Sequence, residues 1–415
     1  MSMKVIYSCD IISLVIFRIR RLERKYMKRF HSIVVIALLS ALALTGCKKE
    51  GETVKPNIVE PVIDENIDSA NPSATASNTD DVTKAVDDDL PPHEGMVRSR
   101  ITNEWVDEEQ NLSRPVAIMV PNSNTASHYG LSNASVLYEC NVEGSMTRLM
   151  AIVDDWQSLS KLGNIRSSRD YYVYWAFEWD AIYIHYGGPF YIDEVISRDD
   201  TQNINCLNYA EGSFRDESAK NSTDNSFTDA RRIKKAMDHF GYSEEYREGY
   251  ADEQHYKFAT LPNTLDQYED AITATKIDMS KCFPVTNCYF VYNEETGLYD
   301  RYQKVSGGSD SPHVDMANNQ QLTFKNIIVQ NTYHEVRDSK GYLAFQVHDT
   351  TRDGWFFTNG KGVHINWKKE TDYGATRYYD DAGNEIEFNT GKTMVLIVES
   401  GDSFTVDNKA IASKE

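Results

Sequence analysis

Hydrophobic and polar positions change rhythm twice along this chain. RPVAIMV at 114–120 is an unbroken apolar run that stops at Pro121-Asn122; TRLMAIVD at 147–154 is a second, and AIYIHY at 181–186, closed by Gly187-Gly188-Pro189, is a third. Runs of this length between turn residues read as buried strands. Between the second and third, residues 169–179 place apolar and aromatic side chains at helical spacing. Residues 228–240 read as a helix with Asp229 in its first turn, where a carboxylate suits the positive end of the helix dipole. This alternation predicts an N-terminal α/β-type domain over 110–260. After a linker expected at 261–283, the pattern becomes short strands at 288–292, 322–330, 342–348, 354–357, 363–368, 376–379, 385–388 and 393–398. Asn359-Gly360, Ala382-Gly383 and Thr390-Gly391 supply turns between some of them, as hairpins require. A mainly antiparallel β domain, a small barrel or sandwich, is expected over 284–405. The fold class is α+β.

A different pattern occupies the start. Residues 27–46 carry a basic opening at Lys28 and Arg29, an apolar stretch over 33–44, and Thr45-Gly46 before Cys47. The order resembles a bacterial lipoprotein signal peptide, in which a cut before the cysteine leaves its thiol to carry lipid. An apolar run of about a dozen residues is short of the about 20 that cross a bilayer. Residues 1–26 fit no part of such a signal and read as an upstream extension. From Cys47 to 109 the chain is expected to be a lipidated cysteine and a tether: the stretch to about residue 92 is rich in Asp, Glu, Asn, Ser, Thr and Pro and cannot bury enough apolar area to offset ordering. A flexible tether of this kind reaches a few tens of ångströms, at roughly 5–6 Å times the square root of its length. The globular part would hang near the outer face of the cytoplasmic membrane, with the membrane itself as a partner through the lipid on Cys47.

The formal charge of −20 argues against nucleic acid, whose phosphates need a basic face. Cys140, Cys206, Cys282 and Cys288 remain besides Cys47. Their compartment permits disulfides, and Cys282 with Cys288 could close a short loop; burial as small hydrophobes fits equally. Their spacing gives no structural zinc motif. No metal site and no cofactor is expected.

RPVAIMV at 114–120, VEGSMTRLMAI at 142–152, GNIRSSRDYY at 163–172, AIYIHYGG at 181–188, SPHVD at 311–315, LTFKNIIVQ at 322–330 and the tail over 367–398 together resemble the YerB-type lipoproteins. The resemblance implies two adjoining domains and a lipid-anchored protein of the Gram-positive envelope. It implies no particular reaction. Two positions depart from the family's pattern: Gly144-Ser145 stands where two glycines are common, and Asp224-Asn225 where a histidine precedes the asparagine.

Chemistry must then be sought among individual polar residues. Arg166 and Arg169, three apart near a helix start, face one side; with Arg148 and Glu143 they could hold a carboxylate or phosphate, or pair with Glu143, Asp170 or Glu178 as structural ties. His185, at the end of an apolar strand, lies where α/β sheets gather ligand groups and could act as a base or as an anion donor. His313 and Asp315, two apart, point the same way if extended and offer an oriented pair, or two ligands of a metal site that lacks a third. No GxSxG, HExxH, Walker or dinucleotide-binding motif stands in the right context. The expected function is binding of an anionic cell-wall component or a membrane protein partner, with a hydrolase or transferase acting on wall polymer as the alternative.

Overall fold

A computed structural model describes residues 90–123, 125–219, 224–250, 254–304 and 310–412. The upstream extension, the signal peptide, Cys47 and the tether as far as residue 89 lie outside the described residues.

An eleven-stranded mixed sheet forms the centre. Its neighbours run, edge to edge, Ile272–Thr273, Lys361–Lys369, Asp349–Thr358, Asn326–Thr332, Thr393–Glu399, Val136–Asn141, Thr147–Val153, Val116–Asn122, Ile182–His185 and Asn203–Asn205; Arg377–Tyr379 pairs beside Lys361–Lys369. Thr393–Glu399 is late in the chain yet central in the sheet. It runs parallel to Asn326–Thr332 on one side and to Val136–Asn141 on the other, so one sheet is continuous through both halves of the sequence. The N-terminal half is the α/β-type part and the C-terminal half is β-rich, as the class requires.

Alternate residues of these strands point to opposite faces, and both faces are covered, which is why the strands read as continuous apolar runs. One face presents Ile118, Val120, Leu149, Ala151, Val329 and Leu396. Against it lie the helix Ala230–Phe240, through Ile233, Ala236 and Met237, and a seven-stranded sheet that contributes Ile277, Phe290, Tyr299 and Phe404. That helix is capped by Asp229, whose carboxylate accepts from the Arg232 amide at 2.9 Å. The other face presents Met119, Met150, Ile152, Val395 and Ile397 to the helix Asp170–Phe177. The helix's aromatic residues are therefore core: Tyr171, Tyr172 and Trp175 are buried, and the Tyr172 hydroxyl donates to the Arg148 carbonyl at 2.7 Å.

Four readings are corrected. The tether does not extend to 109: Met96–Arg98 pairs with Trp105–Asp107, Ile101 is buried, and the Thr102 carbonyl accepts from Gly391 N at 2.8 Å. A partner so distant in sequence is invisible to a local reading. Residues 261–283 are more than a connection, because they supply Ile272–Thr273 to the central sheet and Lys276–Asp278 to the second, with Leu265, Ala274 and Phe283 buried. The C-terminal strands do not close on themselves as a barrel; they extend the N-terminal sheet and build the second one. All four cysteines at 140, 206, 282 and 288 are buried free thiols, so Cys282 and Cys288 close no loop.

Candidate functional site

Three guanidinium groups converge where the central sheet meets the start of the helix Asp170–Phe177. Arg148 is on the strand Thr147–Val153, in register with Pro121 on one side and Cys140 on the other. Arg166 is fixed by its backbone: its amide donates to the Met119 carbonyl at 2.8 Å, and its carbonyl accepts from Tyr186 N at 2.9 Å. Arg169, with extended backbone, is the residue before the helix. Beside them is the turn Glu143-Gly144-Ser145, where Gly144 and Ser145 have φ of 72° and 59°. This left-handed conformation explains why glycine suits both positions; Ser145 occupies it at a cost of roughly 1 kcal/mol.

The three arginines differ in what they meet. Arg169 forks onto Glu143, with Nε 3.0 Å from Oε2 and Nη2 on Oε1, and Nη1 donates to the Ser168 carbonyl at 2.6 Å. Arg166 Nε lies 2.9 Å from Asp224 Oδ1, a carboxylate of its own. Arg148 is 8% exposed, and its Nε is buried without a hydrogen-bond partner. Burial, and then the positive charges of Arg169 and Arg166, push its pKa down to about 10 against the opposing pull of Glu143. Burial works to raise Glu143, but hydrogen bonds and charge from Arg169 outweigh it and leave the carboxyl below its ordinary value. Nε of Arg166 also lacks a hydrogen bond but lies against the Asp224 carboxylate, so Arg148 is the arginine of the three whose unpartnered Nε has no carboxylate against it, inside a local excess of positive charge.

The histidines and Asp315 are elsewhere. His185 is fully buried, with Nδ1 2.9 Å from the Gly187 carbonyl and Nε2 3.2 Å from Asn203 Oδ1. Burial lowers its pKa despite those contacts, and neither nitrogen faces the arginines. His313 and Asp315 do not act as a pair. Asp315 accepts from the amides of Gly130, Ser132 and Ala317 at 2.9, 2.8 and 2.8 Å and from the Ser132 hydroxyl at 2.7 Å, which saturates its carboxylate with the loop at 130–132.

His313 belongs to a buried relay that joins the two halves of the chain. Arg301 can only donate, so His313 Nδ1 accepts from it; His313 Nε2–H then donates to His128 Nδ1 at 2.6 Å, and His128 Nε2–H donates to the Pro121 carbonyl at 2.7 Å. Arg301 also pairs with Glu139 at 2.7 Å, both side chains wholly buried, and Glu139 Oε1 accepts from Asn122 and Thr147, each at 2.7 Å. Burial, with the neighbouring Arg301 charge, holds both histidines neutral: His128 falls to about 4 and His313 lies well below its ordinary value. Sequence reasoning missed His128, Glu139 and Arg301. The available signal was Glu139 within VLYEC, a charge in an otherwise buried run, which demands a partner.

With this geometry in view, the molecule is a paired-domain protein whose halves share one sheet and a buried polar seam. Two family models match it: residues 101–243 fit the N-terminal domain of a protein of unknown function (DUF3048), and residues 279–395 fit its C-terminal domain. The chain belongs to this paired-domain, YerB-type family. A relative from Bacillus subtilis strain 168, provisionally named lipoprotein YerB, is 24% identical over 326 residues, covering 77% of this chain and 91% of its own. The crystal structure of the Bacillus subtilis YerB protein superimposes with a TM-score of 0.62 at 23% identity, over 73% of this chain and 96% of that one; the likeness is one of fold.

Proposed function

We propose that this is an envelope lipoprotein, anchored to the outer face of the cytoplasmic membrane through Cys47, that binds an anionic group of a cell-wall component at Arg148, Arg166 and Arg169. The observation that carries the binding reading is Arg148: a buried guanidinium with an unpartnered Nε, beside two arginines that each have a carboxylate of their own. A carboxylate or phosphate entering there would meet a donor fork shaped for planar oxyanions and would relieve like-charge crowding. Binding is favoured over turnover because Glu143 is spent on Arg169 and His185 on Gly187 and Asn203, so neither offers a free base beside Arg148. The anchor rests on the signal-like residues 27–47 and on the provisional lipoprotein name of the relative.

Thermal unfolding against muropeptides and glycerol-phosphate oligomers tests the site. A ligand at a hundredfold its dissociation constant adds about 2.7 kcal/mol of stability. That gain should appear with an anionic fragment in the wild type and vanish in Arg148→Gln; equal stabilisation of both proteins would refute the assignment. Incorporation of labelled palmitate, lost in Cys47→Ala, tests the anchor independently.

A further inference from the structure

The basic cluster continues into a row of aromatic rings, two half-buried tyrosines leading to an exposed phenylalanine. The Arg169 guanidinium lies 5.5 Å from the Tyr342 ring centroid; Tyr342 meets Tyr191 edge to face at 5.7 Å, and Tyr191 meets Phe190 at 4.0 Å. Phe190 is 67% exposed, among the largest apolar exposures in the described residues, and it follows the Gly187-Gly188-Pro189 turn that closes the strand Ile182–His185. The row is held from beneath. The Tyr191 hydroxyl donates to Asp338 Oδ2 at 3.1 Å, and Arg337 lies 4.9 Å from the Tyr191 centroid while its Nη2 pairs with Asp170 at 2.5 Å. Rings held in this way lose little freedom when a ligand lands on them, which lowers the cost of binding.

We infer that this ledge takes the rings of a saccharide whose own acidic substituent enters the arginine cluster, so that the ligand is an anionic glycan. The inference rests on the binding role proposed for Arg148. Exposed aromatic faces offer flat apolar area that pairs with the C–H faces of pyranose rings, and Tyr supplies a polar rim. The charge is complementary at one end only, because Arg148 and its neighbours stand at the Tyr342 end of the row, away from Phe190. An uncharged glycan would leave Arg148 unmet, and a simple anion would leave the ledge bare. A sugar carrying a carboxylate satisfies both.

Isothermal titration of the full chain in detergent separates these parts with three probes, and D-alanyl-D-alanine serves as a fourth, for peptide. N-acetylglucosaminyl-N-acetylmuramic acid with a free lactyl carboxylate carries rings and charge, D-lactate carries charge alone, and chitobiose carries rings alone. The disaccharide acid should bind at least tenfold more tightly than either of the others. Phe190→Ala should remove that gain over lactate while leaving lactate affinity unchanged, and Arg148→Gln should weaken both charged probes. Equal affinity for lactate and the disaccharide acid, or an unchanged preference in Phe190→Ala, overturns the ledge but not the anion site. Charged probes that bind Arg148→Gln as well as the wild type overturn the anion site itself. D-alanyl-D-alanine binding through Phe190, with the disaccharide acid excluded, would assign the ledge to peptide and overturn the inference.

Discussion

Replacing His128 with glutamine should flatten the acid sensitivity of folding. In the relay each imidazole donates on one nitrogen and accepts on the other, an arrangement that exists only while both rings are neutral. Protonation of His128 would turn Nδ1 into a donor facing His313 Nε2–H, in a buried place near Arg301. Burial, with that charge, sets the folded pKa at about 4, against about 6.5 in the unfolded chain. The unfolded chain therefore takes up the proton first. The contribution is complete above pH 6.5 and is lost as pH falls from 6.5 toward 4. The whole drop corresponds to about 3 kcal/mol, of which about 2 kcal/mol is gone by pH 5. Urea unfolding of the leaderless chain at pH 7, 6 and 5 reads this directly. At pH 7 His128→Gln should be less stable by about 1–3 kcal/mol, because the Pro121 carbonyl and the His313 N–H lose a well-placed partner. By pH 5 the difference should have narrowed by about 2 kcal/mol. A difference that stays constant from pH 7 to 5 would show that the relay does not hold this histidine neutral.

Three further substitutions probe the seam and the site. Glu139→Ala removes the carboxylate from a fully buried pair and strands Arg301, which should cost about 3–5 kcal/mol in urea unfolding. Asp315→Ala releases the amides of Gly130 and Ser132, with an expected loss of about 3 kcal/mol and faster hydrogen exchange at 130–132. Ser145→Gly relieves a left-handed serine; relief of about 1 kcal/mol, partly offset by the greater unfolded-state freedom of glycine, should leave a net gain of about 0.5 kcal/mol in thermal unfolding.

The long apolar strands and the two long helices were legible because their neighbours in sequence decide their burial. Val116–Asn122, Thr147–Val153 and Ile182–His185 each bury every residue, and Ala230–Phe240 has a local cap and a clear apolar face. Val136–Asn141 was missed although it is equally buried, because Glu139 and Asn141 interrupt its apolar run and their partners lie far off, Arg301 for one and the Cys282 carbonyl and Glu399 for the other. Leu298–Lys304 hid for the opposite reason: it alternates strictly, but its buried side is Tyr299, Arg301 and Gln303, so a hydropathy pattern has nothing to find. Arg166 and Arg169 do share a cluster with Arg148 and Glu143, but not through helical spacing: both precede the helix, and Arg169 is extended. The same reasoning failed for His313 and Asp315, since spacing of two fixes a direction only while the strand is regular and cannot say which side chain is already satisfied. His185 sits where a strand end suggested, yet its hydrogen bonds turn inward to Gly187 and Asn203.

The central claim is that Arg148 awaits an anion, and the most direct measurement is the ¹⁵N-edited NMR signal of its Nε–H, assigned by its loss in Arg148→Lys. During titration with inorganic phosphate and with acetate, the account predicts a saturable shift of this resonance while that of Arg301, whose guanidinium is wholly buried and already paired through Nη2 with Glu139, stays still. An Arg148 signal that does not saturate with either anion, or that moves only in step with Arg301, would contradict it.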